Sequence, residues 1–372
     1  MTTFITRMDG PGSGPRLAVK DLIDVQGVPT TAGCRAVADE AVPAARDAAC
    51  MAGARAADAR IVGKVNLTEL AMTGAGWNPW FGTPVNPLAP DRLPGGSSSG
   101  SATVVGAGEA DVAYGTDTGG SVRIPAACCG VAGLKTTFGR IPLAGVWPLG
   151  ASLDTVGPLA RDLDGIALGM RLLEPGFTAG APAQVVGRLP TMGDPVIEAA
   201  VDDALRAAGL DVVVVDLPVV QGLNEAFAAI YVAEMWAADH YLLERRPQGL
   251  GDEVREMMAL GPAFAPLVAD ALAEAARLTE AFLKVFDRVE ALALPTLPVF
   301  APRLDDPAAT SSEINLQLAR FTPLANVTGL PALAMPVPTA RGGLPASLQL
   351  IGPRGGEERL VATGTVVEVA VA

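Results

Sequence analysis

Residues 94–101, PGGSSSGS, and residues 115–126, GTDTGGSVRIPA, carry two serine clusters whose reading decides the fold. In the second, Ser121 follows Gly119 and Gly120, so the backbone from Thr118 to Ser121 can fold tightly and turn several N–H groups into one concave nest. Such a nest stabilises the oxyanion of a tetrahedral intermediate. A serine hydroxyl is a poor nucleophile unless a base takes its proton. The usual base is histidine, and the sequence holds one, His240, in the ordinary helical stretch ADHYL at 238–242. Nothing near it recommends a catalytic role. Lys20, at the end of the apolar run LAVK, is the more interesting residue, because a buried lysine can lose its proton whereas arginine cannot. Of the 27 basic residues only Lys20, Lys64, Lys135 and Lys284 are lysine. Taken singly, the first cluster also reads as a flexible linker and the second as a phosphate-holding turn, although neither contains Gly-Lys-Ser/Thr. Lys20 alone also reads as half of a structural ion pair.

The composition bounds the class. With 372 residues, half of them hydrophobic, the chain has material for a sizeable core in one large α/β domain or two ordinary ones. A net charge of −13 disfavours phosphate backbones as the main partner and fits a neutral or cationic small molecule better. Apolar runs such as Val212-Val213-Val214-Val215 are too short to span a bilayer, and residues 1–14 lack the pattern of a secretory signal, so a cytoplasmic enzyme without membrane contact is expected. Cys34, Cys50, Cys128 and Cys129 have no C-x-x-C spacing, which predicts reduced, mostly buried thiols and no metal site.

Hydrophobic periodicity gives the order of elements. A strand over 17–25, an alanine-rich helix over 44–59 and a strand over 60–64 form a βαβ pattern. After a proline-rich loop at 78–94 come a small-residue helix at 101–108 and a strand at 110–115, which places the second serine cluster on a loop at that strand's carboxyl end. A helix over 164–173, a strand over 184–188, a helix over 195–208 and a strand over 210–215 come next. Long helical regions at 224–246 and 252–292, the second interrupted near Gly261-Pro262, carry Trp236, Met257, Met258, Phe264, Phe282 and Phe286 at core-like spacing. A strand at 291–294 and a unit at 331–352 complete the sheet. The expected fold is α/β: a single domain with a central mixed, largely parallel twisted sheet flanked by helices.

At this level the chain resembles the amidase signature family, serine amidohydrolases with a Ser-cis-Ser-Lys triad. The two serine clusters carry the likeness, continued by CGVAGLK at 129–135, AVKD at 18–21, GKVNLTE at 63–69, SLDTVGP at 152–158, NVTGLPA at 326–332 and GLPASLQLIG at 343–352. Roughly 170–285 is unmatched. The resemblance implies a signature core at 15–170, a variable helical region at 171–290 and a closing part at 291–372. It also implies Ser121 as nucleophile, Ser97 as a bridging serine after a cis peptide and Lys20 as base. Thr118, Gly119, Gly120 and Ser121 would form the oxyanion hole, with Ser98, Asp117 and Arg123 in support. Met72, Thr73 and Trp147 fall where the family lines its acyl pocket. Ser99 stands in place of the family's usual glycine, as in plant-type indoleacetamide hydrolases, to which the chain is somewhat similar. The short stretch before Lys20 and the short middle region imply a compact member.

The activity that the resemblance implies is that of a cofactor-free amidohydrolase of a small carboxamide acting through a seryl acyl-enzyme, without direct nucleic-acid contact and as a possible homodimer. The other reading is the amidase subunit of a tRNA-dependent amidotransferase, against which the acidic chain and short body argue.

Overall fold

The computed structural model describes residues 2–306, 308–309, 311–340 and 342–372. Its centre is one continuous sheet of eleven strands: β1 (Phe4–Arg7), β2 (Arg16–Lys20), β3 (Arg60–Val65), β4 (Val112–Asp117), β5 (Ala132–Lys135), β6 (Thr155–Ala160), β7 (Val185–Arg188), β8 (Asp211–Val214), β9 (Ala291–Pro295), β10 (Ala332–Val337) and β11 (Ala346–Ile351). Their order across the sheet is β1-β3-β2-β4-β6-β5-β10-β11-β9-β7-β8. The expected mixed sheet is present, but it is less parallel than expected. Parallel pairing is confined to β3-β2-β4 and to β9-β7-β8, while the middle, from β4 through β6, β5, β10 and β11 to β9, is antiparallel. One physical reason lies in the connection between β10 and β11, which is too short for the crossover that parallel neighbours need and closes a hairpin instead.

Helices cover both faces. They run as α1 (Arg35–Ala38), α2 (Ala52–Ala56), α3 (Ser99–Gly106), α4 (Arg123–Cys129), α5 (Leu163–Leu173), α6 (Pro195–Ala207), α7 (Val219–Asp239), α8 (Tyr241–Arg245), α9 (Asp252–Phe264), α10 (Val268–Leu283), α11 (Ser312–Leu318), α12 (Pro323–Val327) and α13 (Glu357–Val371). Local chemistry sets several starts. Asp162 caps α5 by accepting the Gly165 N–H, and Asp194 caps α6 by accepting that of Val196, with Pro195 in the first turn.

The strand period of two divides the core. Leu17, Val19, Val112, Tyr114 and Leu134 join the cluster beneath α5, α6 and α13, whereas Ala18, Ala113 and Leu159 join the one built with Ala102, Val105, Val122 and Ala126 of α3 and α4. Lys20 shares the parity of Ala18, which assigns it to the side where both serine clusters lie. The helix expected over 44–59 starts only at a 3₁₀ turn, Ala49–Met51, because Pro43 and Ala44 are engaged in bridges to the segment 26–29 and Ala48 donates its N–H to the Asp24 carbonyl.

The run Asp252–Asp287 is long and apolar enough to cross a membrane by length and composition, which hydrophobic periodicity did not lead one to expect. It is broken into α9 and α10, and Val254, Met258, Leu278 and Phe282 are buried within the protein's own clusters. The break falls at Ala265–Leu267 rather than at Gly261-Pro262. α9 continues through Pro262 to Phe264, and the second proline, Pro266, sits in the 3₁₀ turn that follows.

Candidate active site

Strand β2 lies between β3 and β4, covered on both faces, so its apolar residues Leu17 to Val19 are buried and Lys20 is carried to the strand's carboxyl end with no exposure at all. Its Nζ donates to Ser97 Oγ at 2.7 Å and to Thr116 Oγ1 at 2.8 Å. Burial pushes the Lys20 ammonium down to about 7, while the carboxylates of Asp117 and Asp154 act in the opposite sense. The neutral amine is therefore accessible near neutral pH.

Ser97 reaches this lysine from the loop that precedes α3. The Gly96–Ser97 peptide bond is cis. Gly96 donates its N–H to Gly74 C=O at 2.6 Å, and the Ser97 carbonyl accepts the Thr68 N–H at 3.0 Å. A side chain at position 96 would meet the Thr68 hydroxyl and the backbone of Gly76, so only glycine allows this approach.

β4 ends in Asp117, and that carboxylate organises the second serine cluster. It accepts the N–H groups of Gly120 at 2.8 Å and Val122 at 3.1 Å, and it takes two bonds from the Arg123 guanidinium at 2.9 and 3.0 Å. Arg123 is wholly buried and satisfied: its other contacts go to the Thr322 carbonyl, Gln349 Oε1 and Asn326 Oδ1. Although burial alone would raise the Asp117 carboxyl, Arg123, Lys135 and Asn326 hold it well below the usual carboxylate range. The loop is thus clamped from both sides. Gly120 adopts φ +129°, and a Cβ there would collide with the Thr322 hydroxyl, which explains the glycine directly before Ser121.

Ser121 emerges from this turn on the wall of a cavity, and its carbonyl accepts the Ser98 N–H at 3.1 Å, which ties the two serine clusters together. Ser98 Oγ also donates to the Thr116 carbonyl. Of the four backbone donors expected here, that of Gly120 is already engaged by Asp117. The N–H groups of Thr118, Gly119 and Ser121 have no protein partner among the described residues, and Gly119 and Ser121 border the cavity. Thr118 is fixed through its hydroxyl, which donates to Asp154 Oδ1 at 2.6 Å.

The cavity measures about 470 Å³. Met72 and Thr73 border it. Trp147 does not: it borders a different cleft and donates Nε1 to Asp239 at 3.1 Å. The remaining wall comes from α7, α9 and α11, for which no motif in the sequence indicated a place in the site. Phe227 lies over Gly119, Tyr231 donates its hydroxyl to the Met72 carbonyl at 2.6 Å, and Met257, Glu253 and Leu316 close the far side. α9 is attached to the signature core at its first turn, where Glu69 accepts the Gly251 N–H at 3.0 Å and the Trp80 indole N–H at 2.7 Å.

The other candidate groups have structural roles. His240 donates from Nδ1 to the Trp236 carbonyl one turn back. Lys64 pairs with Asp21 at 2.6 Å, and Lys135 is bound by the carbonyls of Thr136 and Leu330. All four cysteines are free and buried.

The buried Lys20–Ser97 contact thus lies beside a cavity-facing serine, Ser121, whose carbonyl accepts the Ser98 N–H. The profile of the amidase family matches residues 6–179 and 183–361, and the chain belongs to that family. It is an amide C–N hydrolase. The chain is 34% identical to the glutamyl-tRNA(Gln) amidotransferase A-subunit of Halobacterium salinarum, over 99% of this chain and 98% of that one. It is 36% identical to 2-amino-5-chloromuconic acid deaminase of Comamonas testosteroni, over 97% and 82%. Among solved structures, one described as an amidase superposes with a TM-score of 0.87 at 31% identity, covering 98% of this chain and 86% of that one.

Proposed function

We propose that the protein hydrolyses a small carboxamide through a seryl acyl-enzyme formed on Ser121. The observation that carries this reading is the 2.7 Å hydrogen bond from buried Lys20 to Ser97, next to a nucleophile candidate that opens on the cavity. Ser121 Oγ attacks the amide carbonyl carbon while its proton passes through the Ser97 hydroxyl to the neutral Lys20 amine. The carbonyl oxygen becomes an oxyanion held by the N–H groups of Gly119 and Ser121, with that of Thr118 beside them. As the C–N bond breaks, the proton returns from Lys20 through Ser97 to the leaving nitrogen, which departs as ammonia or an amine. Water then attacks the acyl carbon while its proton passes through Ser97 to Lys20, and as the ester bond to Ser121 breaks that proton returns to Ser121 Oγ and the carboxylic acid leaves. Ser98, Asp117 and Arg123 act by holding the two loops in register. The test is ammonia release from a panel of primary amides together with mass spectrometry after fluorophosphonate treatment. Ser121 should carry the label, and Ser121→Ala should lose both label and turnover by a factor of ~10⁵–10⁶; an unlabelled Ser121 in an active enzyme defeats the reading.

The amidotransferase reading has a specific support. The Halobacterium protein that bears such a name is matched at 34% identity over 98% of its own length. In that case the ammonia would be handed to a partner, and any nucleic-acid contact would pass through the partner. Copurification with a second, larger chain, and glutaminase activity that depends on it, would favour this reading over the free-standing hydrolase.

A further inference from the structure

Resting on the acyl-enzyme reading above, we infer that Glu253 is the specificity residue of the cavity and that it selects substrates whose acyl group ends, away from the amide, in a protonated amine.

Much of the cavity wall is apolar, with Met72, Ile124, Phe227, Met257 and Leu260 among its lining residues. Glu253 interrupts that surface from the first turn of α9. Its placement is fixed rather than incidental. Asn315 Nδ2 donates to Glu253 Oε1 at 2.6 Å, and Asn315 Oδ1 in turn accepts the N–H groups of Gly74 and Ala75, both at 2.9 Å. Gly74 is the residue whose carbonyl receives the Gly96 N–H, so the carboxylate is tied by a short chain of bonds to the loop bearing Ser97.

Among the described residues no lysine or arginine pairs with Glu253. Arg320 is exposed on the cavity wall, outside α9 and beyond the end of α11. A helix-dipole role is already filled in the same turn by Asp252, which pairs with Arg255. Beside Glu253, Thr73 is more than nine-tenths buried and borders the cavity, its hydroxyl turned toward the Glu253 carboxylate. Among the described residues the site thus holds a carboxylate without a basic partner at a largely apolar wall, which is the complement of a cation on an alkyl stem. Burial, reinforced by the charge of Glu69, pushes the Glu253 carboxyl up to about 7 despite the Asn315 bond. A bound ammonium would restore its charged form.

The experiment compares linear ω-aminoalkanamides with unsubstituted alkanamides of the same chain lengths, in the native protein and in Glu253→Gln and Glu253→Asp. In parallel, calorimetric titration with alkylammonium ions and the matching alkanols reads binding independently of turnover. The native protein should prefer the amino series by at least ~10-fold in kcat/KM at its best chain length, the factor that a charge-assisted hydrogen bond supplies. That ratio should fall to near one in Glu253→Gln and be partly kept in Glu253→Asp, with alkylammonium affinity following the same order. Alkanamides hydrolysed as well as their amino counterparts, or a preference that survives in Glu253→Gln, would overturn the inference and leave the acyl-enzyme reading standing. If no amide is hydrolysed, the acyl-enzyme reading fails, and equal binding of ammonium and alkanol overturns this inference as well. If Glu253→Gln does not fold, the comparison of native protein with Glu253→Asp carries the decision.

Discussion

Asp117 Oδ1 accepts the Gly120 N–H at 2.8 Å, so the carboxylate that anchors Arg123 also fixes the peptide immediately before Ser121. One buried ion pair therefore sets both the stability of the loop and the direction of Ser121. Breaking such a pair from one side leaves an uncompensated charge, at a cost of about 3–5 kcal/mol. Asp117→Asn should lower the melting temperature markedly and reduce kcat more than KM. A variant that melts like the native protein would show that Arg123 is neutralised elsewhere.

The pH dependence should report Lys20. Only its neutral form accepts a proton, so with an uncharged alkanamide log kcat/KM should climb with pH until about 7 and level off above it. Lys20→Arg keeps a permanent charge and should lose a factor of ~10²–10⁴ at every pH, without the rising limb. A profile of unchanged shape in that variant would assign the titration to another group.

Gly120→Ala tests the loop geometry without changing charge. The φ of +129° and the nearness of the Thr322 hydroxyl oppose any side chain, so kcat should drop at least tenfold while the circular dichroism of the fold is retained. Full activity would mean that the oxyanion donors tolerate a different turn.

Trp147 and Met72 should respond differently. Met72→Trp, within the cavity, should exclude long acyl chains and shift the preferred amide length, whereas Trp147→Phe, in the other cleft, should leave the length preference unchanged. A shift in preference for Trp147→Phe would bring that cleft back into the substrate path.

These contrasts also mark what was legible in the sequence. The turn before Ser121 could be read because close backbone approach and positive φ favour glycine there, whereas the pairing of Ser97 with Lys20 was legible only through the family resemblance. The partners of Arg123 could not be read: Thr322, Asn326 and Gln349 lie about two hundred positions away, and although Asn326 and Gln349 fall in motifs that carry the resemblance, nothing local joins them to Arg123. Nor could the cavity wall. Met257 borders the cavity while its neighbour Met258 is buried in the core, and hydrophobic periodicity treats the two alike. The strands were found where apolar runs are bounded by turns, but the antiparallel middle of the sheet depends on chain connections that periodicity does not encode.

The docking of α9 on Glu69, with Asn315 at the other margin of the same wall, gives the architecture an interchangeable front. The α9 segment, Asp252–Phe264, can be exchanged as a cassette while Lys20, Ser97 and Ser121 stay on the sheet side. A chimaera that receives this segment from a related amidase, with both attachments kept, should therefore acquire the donor's choice of amide without any rebuilding of the catalytic apparatus.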